Sequence, residues 1–372
     1  MSPSKEDLLM DFGGETIDHD WTPVKANVEI SDDNLWEKGF GVFAYYTGDN
    51  NYTAPPSGTD GVVLNNRKVY KTSSSASTWL YGAEEYWPLK EGEKMSFFAY
   101  APWTGAVSVD SNLGPYLSFD DTGLDKIGDQ TELLRGVRST GMPYKDISLK
   151  RQYNPETDSY RYSLLDDNGI VIRNDKCVQF DFRHTMAKMK FTVTCNDKPH
   201  TNSEILSATG RTPTEIITVF LLQTLTVEGI NGSAKMYLNN TEPEHALWDD
   251  YGSPISWDLA DGLDAGLSII YSGEPLSTSS STAVAAAARS VKTGANNTPA
   301  SVMPSGHEYM FVIPTDQSAG SQTLTVTASY YKLSFYRSSG GGGSGTAAGG
   351  LQRAAEPLSL PGLLCHRHRG RT

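Results

Sequence analysis

Residues 178–194 read VQFDFRHTMAKMKFTVT. Val178, Phe180 and Phe182 alternate with Gln179, Asp181 and Arg183, the period-two pattern of a strand with one face in a core and one toward water. After the break the apolar side is carried by Ala187, Met189, Phe191 and Val193, so the parity has changed. A one-residue slip swaps the two faces of a strand, which predicts a bulge or a change of sheet near His184–Met186. Strands that pass between two packed sheets behave this way, so the stretch predicts a layered all-β framework.

Composition agrees with that expectation. The chain has 372 residues, with 35 glycines, 19 prolines and 19 tyrosines, which suits many short strands joined by turns. Its length predicts two domains, because single cores stop growing near about 250–300 residues. A net charge of -13 argues against a nucleic-acid backbone or an anionic membrane as the main partner. No stretch approaches the roughly 20 apolar residues of a membrane span. The start MSPSKEDLLM has no basic region followed by an apolar run. That leaves two alternatives open, a cytosolic protein or a mature exported domain carrying a new Met1.

Working outward, Val24–Ile30 alternates cleanly and reads as the first strand, while Asp11–Asp20 reads as a polar lead-in. Trp36–Tyr46 is a nearly continuous apolar and aromatic run, which predicts burial on both faces. Met95–Tyr100 is a strong strand that Pro102 ends. Tyr160–Leu165 and Gly169–Ile172, joined by Asp166-Asp167-Asn168-Gly169, predict a hairpin. Ile216–Leu225 is strongly apolar, and Ala234–Leu238 reads as a return strand. The division is placed near residue 240: a first sandwich over 1–240, a second and incomplete one over 241–337, and a Gly-rich linker with a tail over 338–372. The aromatic residues fall at strand-period positions, so packing is favoured over a sugar-stacking platform.

Reactive constellations are sparse. Cys177 and Cys195 bracket the central stretch; a hairpin there would bring them together, but Thr185-Met186-Ala187 lacks the turn residues it needs. A straight run puts them on the order of 50 Å apart, so free thiols are the favoured reading. The acidic segment around Asp120–Glu132 does not match a calcium-loop spacing. His307-Glu308 begins a zinc-protease motif, but Phe311 stands where the second histidine belongs. Cys365-His366-Arg367-His368 supplies too few ligands for a closed metal site. No pair of carboxylates is singled out as a glycosidase pair. His184 reads as a structural residue at the strand break. The expectation is therefore no catalytic residue, no cofactor and no metal.

Three motifs carry a family resemblance. Phe182, His184, Met186, Ala187, Lys188, Met189 and Phe191 resemble the F-x-H-x-hydrophobic-Ala-Lys-hydrophobic strand of fimbrillin-like proteins, the pilin subunits and relatives displayed on Bacteroides-type cells. Gly39-Phe40-Gly41-Val42-Phe43-Ala44-Tyr45-Tyr46 resembles that family's G-x-GVFAY strand. Glu85-Tyr86-Trp87-Pro88 and Met95–Pro102 resemble its YWP and FFAYAP pair. The resemblance implies two tandem Greek-key sandwiches like transthyretin, with Phe180, Phe182, His184, Ala187, Met189 and Phe191 as a structural strand motif. It implies a non-enzymatic fimbrial or adhesion protein at the cell surface, exported through a lipoprotein precursor anchored to the outer membrane. Its partners would be other pilin subunits, joined by donor-strand complementation, and a host surface glycan or protein. In relatives a protease removes an N-terminal strand after a basic residue, and Lys25 is the candidate equivalent. The alternatives are a non-polymerising tip adhesin and a carbohydrate-active accessory protein. The family's C-terminal Gly-Lys-x-Tyr-x-Tyr type of segment has no counterpart in this chain, which departs from the pattern there.

Overall fold

The computed structural model describes residues 8–16, 30–120, 130–193, 201–239, 248–258, 269–271, 300–301, 303, 309–314 and 324–338. Within them the chain forms β1 (Asp11–Thr16), α1 (Asp32–Lys38), β2 (Phe40–Gly48), β3 (Val62–Val69), β4 (Lys94–Ala101), β5 (Ser108–Asp110), β6 (Gly114–Asp120) and β7 (Leu134–Val137). Next come β8 (Tyr144–Asn154), β9 (Ser159–Leu165), β10 (Val171–Arg173), β11 (Cys177–His184), β12 (Ala187–Met189), β13 (Thr192–Val193) and α2 (Asn202–Thr209). The remainder is β14 (Pro213–Asn231), β15 (Ser233–Tyr237), β16 (Trp248–Asp249), β17 (Pro254–Asp258), β18 (Ile269–Tyr271), β19 (Ala300–Ser301), β20 (Met310–Val312) and β21 (Thr325–Ser338). The protein is all-β, with two short helices among the described residues.

The largest sheet has nine strands, ordered β1-β11-β7-β4-β8-β9-β10, with β2 beside β4 and β3 beside β2. β4 is its branch point. One edge pairs along its length with β2, and the other is shared by β8 at Lys94–Phe97 and β7 at Ala99–Ala101. Residues from both arms, Phe180 and Phe182 on β11, Leu149 and Leu164 on β8 and β9, enter one core cluster. The sheet must therefore curl so that its arms face each other.

The continuous apolar run of β2 has a direct cause. Phe40, Val42 and Ala44 enter this first core, whereas Phe43 and Tyr45 enter a second one on the opposite side. β4 does the same, with Met95, Phe97 and Ala99 on one side and Phe98 and Tyr100 on the other. A strand covered on both faces loses the polar alternation of a half-exposed one. The second core is closed by Leu117 of β6, Ala234 and Met236 of β15, Trp248 of β16 and Phe311 of β20. The first three of these strands belong to a four-stranded sheet ordered β16-β15-β6-β5. Packing across the β2–β4 pair is unforgiving: a Cβ on Gly41 would stand 2.2 Å from the ring of Tyr100, its partner in the ladder. Gly41→Ala is expected to cost about 1–3 kcal/mol through overpacking, read as a lower denaturation midpoint.

Two expectations need correction. Asp11–Thr16, read as a polar lead-in, is a strand; Val24 to Glu29 lie outside the described residues, and Ile30 is a buried residue preceding α1. Asp32–Lys38 is helical, so the strand read from Trp36 starts at Phe40. The Ser31 amide donates to Asn34 Oδ1 at 3.0 Å, and Asp32, Asp33 and Lys38 lie at the ends that favour their charges. Strand pairing links residues on the two sides of 240, with β16 joining β15 and β17, β18 and β21 joining β14. The 166–169 turn forms as expected, with Asp166 and Ile170 paired across it and Gly169 at φ 75°.

Candidate functional site

β11 leads the chain from the first core toward the second. Val178, Phe180 and Phe182 are fully buried in the first core. At the strand's end the His184 Nδ1 lies 2.6 Å from Glu132 Oε1, and Glu132 is itself 1% exposed. The other carboxylate oxygen accepts from the Ile30 amide at 3.3 Å. The Thr185 amide donates to Leu133 O at 3.2 Å, and Trp248 Nε1 donates to Thr185 O at 2.8 Å. Met186 then enters the second core, and β12 pairs with β20 rather than with the large sheet. The parity break is thus a change of sheet.

The residues of the strand motif have unlike surroundings. Phe180 and Phe182 are buried, His184 is partly exposed, Ala187 is exposed, Met189 is half-buried and Phe191 is buried. The alternation expected beyond the break does not put Ala187 inward. Lys188, opposite Phe311, lays its ammonium 4.8 Å from the Tyr309 ring centroid and 5.9 Å from that of Phe311. A long aliphatic stem can lie on aromatic surface with its charge at the rim, which hides it from a period-two reading. Gln130 holds the facing strand in place: its Nε2 donates to Phe311 O at 3.0 Å and its Oε1 accepts from the Phe311 amide at 2.8 Å.

The other edge of β11 carries β1. This pair is parallel, in register from Asp11 with Cys177 to Thr16 with Phe182, and β1 ends the order of the sheet. Leu8, Met10 and Phe12 enter the first core; Phe12 stands edge-on to Tyr81 with centroids 5.0 Å apart. Met10 is held on both sides, its amide donating to Glu85 O and its carbonyl accepting from the Tyr81 hydroxyl, each at 2.9 Å. Burying three such side chains contributes about 5–9 kcal/mol before ordering entropy is subtracted. The exit from β1 is tied to α1, because the Thr16 amide and hydroxyl donate to Asp32 Oδ1 at 2.6 and 3.0 Å. β1 thus covers the edge of β11, with Phe12 inserted beside it, while Leu8 and Met10 are seated against the Glu85–Trp87 segment. Sequence reasoning missed β1 because Gly13-Gly14 suggests a turn. The glycines instead make room: a Cβ on Gly14 would lie 2.8 Å from the Phe182 ring. Lys25, the candidate processing residue, lies outside the described residues.

No family model and no curated protein matches the chain. Among solved structures, it is similar to a "putative cell adhesion protein" from Bacteroides uniformis, at 12% identity and a TM-score of 0.35, over 88% of this chain and 84% of that one. A second "putative cell adhesion protein", from Bacteroides ovatus, is 12% identical with a TM-score of 0.33, over 88% and 85%. The fimbrial anchor protein Mfa2 from Porphyromonas gingivalis is 11% identical with a TM-score of 0.28, over 87% and 78%. Likeness at this level carries no mechanism, and the chain's own strands must supply one.

Among the described residues no group of three or more His, Cys, Asp or Glu converges as a metal site would require. His307, Glu308 and residues 365–368 lie outside the described residues, as do Cys195 and Cys365. Cys177 is a free thiol, pushed up to about 12 by burial, with nearby Arg173 opposing the shift. Only the thiolate is nucleophilic. Cys177 is therefore expected to resist iodoacetamide at pH 8 in the folded protein and to react once it is denatured, read by mass spectrometry of its peptide. Full labelling of the native chain would contradict this placement.

Proposed function

We propose that the chain is a non-enzymatic cell-surface adhesion or fimbrial subunit, delivered as an outer-membrane lipoprotein precursor, that associates with other pilin subunits by donor-strand complementation. The observation that carries the reading is β1: a strand at the end of the sheet order, paired on one edge with β11, whose Phe12 enters the first core together with Leu8 and Met10 of the segment just before it. If β1 leaves, the β11 edge shows unpaired amides and carbonyls beside an apolar slot. An extended segment from a neighbour can replace it, main-chain hydrogen bonds giving affinity and alternate side chains giving specificity. The segment that joins β1 to the rest contains Lys25, where a cut would free β1 while leaving α1 and β2 intact. β21 supports a second point of contact, since β14 pairs one of its edges and no described strand pairs the other.

The test is replacement. A unique protease site is placed after Lys25, and the chain is cut there, denatured, separated from the released fragment and refolded with an excess of a fluorescent peptide LLMDFGGET, the sequence of residues 8–16. Stable incorporation with a raised melting temperature is the expected result, and a version with Asp at the Met10 and Phe12 positions should fail. A cut chain that refolds with the same stability whether or not peptide is present would refute strand replacement at β11.

A further inference from the structure

Outside β11 and its neighbours, a cleft of about 470 Å³ opens between the segment after β4, the end of β6 and the residues before β7. Its size falls within the range of small-molecule sites. We infer that it binds the end of a neutral glycan, with Trp103 as the stacking surface and the outer edge of β6 and Asp120 as the groups that read hydroxyls.

The indole is fixed before any ligand arrives. The Trp103 amide donates to Gly39 O at 2.9 Å, its Nε1 donates to Asn66 O at 3.3 Å, the Lys68 ammonium lies 5.2 Å from the ring centroid, and the residue remains 37% exposed. A rigid, half-exposed ring costs little entropy to bind against. The opposite wall is built from β6. Pro115 O accepts from the Leu238 amide on the β15 side, so by antiparallel alternation the main-chain groups of Tyr116, Ser118 and Asp120 point the other way. β5 covers only Gly114 to Tyr116. The amides and carbonyls of Ser118 and Asp120 thus border the cleft without a strand partner among the described residues. Two residues of bare edge are too short for a ladder, since strands average about 5–6 residues. They suit a compact ring bearing hydroxyls instead.

The remaining lining settles the class. Leu117 and Leu133 give an apolar floor, and Thr131 adds a hydroxyl. Gln130 is already committed to the Phe311 backbone and offers no further handle. Asp120 is the one charged side chain in the lining, exposed and acceptor-only. A sialic or uronic acid would meet like charge there, whereas a neutral pyranose presents hydroxyl donors to the carboxylate and a C–H face to the indole. Glycan binding here is independent of strand replacement, because no residue of the cleft lies on β1 or β11.

The probes are methyl α-mannopyranoside, methyl β-galactopyranoside and methyl β-N-acetylglucosaminide, with N-acetylneuraminic acid and the extended peptide LLMDFGGET as comparators, each followed by saturation-transfer NMR on the intact chain. At least one neutral glycoside is expected to receive saturation at millimolar concentration. Trp103→Ala and, separately, Asp120→Asn should each weaken that signal by about ten-fold in apparent affinity, with the melting temperature unchanged. The inference is overturned if no neutral glycoside receives saturation, if transfer survives both substitutions, or if the acidic sugar or the peptide is the better ligand. Should Trp103→Ala lower the melting temperature, Asp120→Asn at an exposed carboxylate decides the matter alone.

Discussion

Phe182→Ala is expected to remove about 3–5 kcal/mol of stability, the range for deleting a fully buried aromatic ring. The ring is 0% exposed and lies 5.0 Å from Phe40 and 6.0 Å from Phe180 between centroids. Its neighbours are poorly equipped to fill the space it would leave. Gly14 and Gly136 both abut it without side chains, and added Cβ atoms there would stand 2.8 and 3.1 Å from its ring carbons. A chain of this size should lose on the order of 2–4 °C of melting temperature per kcal/mol, so the shift is large enough for calorimetry. Phe182→Leu should retain much of the packing and lose less. Equal effects from the two substitutions would mean that the ring's volume is not what the site requires.

His184→Ala should be nearly as damaging, for a different reason. It removes the partner of a carboxylate that is 1% exposed, leaving Glu132 with the Ile30 amide as its one other hydrogen bond given by the geometry. Breaking a buried pair from one side costs about 3–5 kcal/mol because the remaining charge stays desolvated. Glu132→Gln in the His184→Ala background should recover part of this loss, an amide being cheaper to bury than a charge. The cycle is read from urea midpoints of the four proteins. If Glu132→Gln deepens the loss in the His184→Ala background, the damage comes from His184's packing and not from a stranded carboxylate.

Some elements are legible from residue pattern alone. The alternation Val178-Phe180-Phe182 names the buried face of β11, and the slip after His184 marks the change of sheet, because side-chain period and sheet membership are linked by geometry. The unbroken apolar run of β2 signals two covered faces for the same reason. Other elements are concealed. β1 carries Gly-Gly where a strand former is expected, since the Phe182 and Phe40 rings take the room at Gly14 and the Gln179 side chain that at Gly13. Lys188 reads as a solvent residue but lies along an aromatic surface. Loop composition suggests a division near residue 240, yet it says nothing about which strands pair across it. The cleft beside Trp103 arises where β5 stops short of the end of β6, a length mismatch between strands that no local pattern records.

The parallel match of β1 with β11 also sets a schedule. Asp11 leaves the ribosome 166 positions ahead of Cys177, its mate in the ladder. At synthesis rates of about 5–20 residues per second that is a wait of roughly 10–30 s for the ladder, although Tyr81 and Glu85, which hold Met10 and Phe12, emerge sooner. Until then the β11-facing edge of β1 has no mate. The same vacancy gives any competing extended segment its best chance to arrive first.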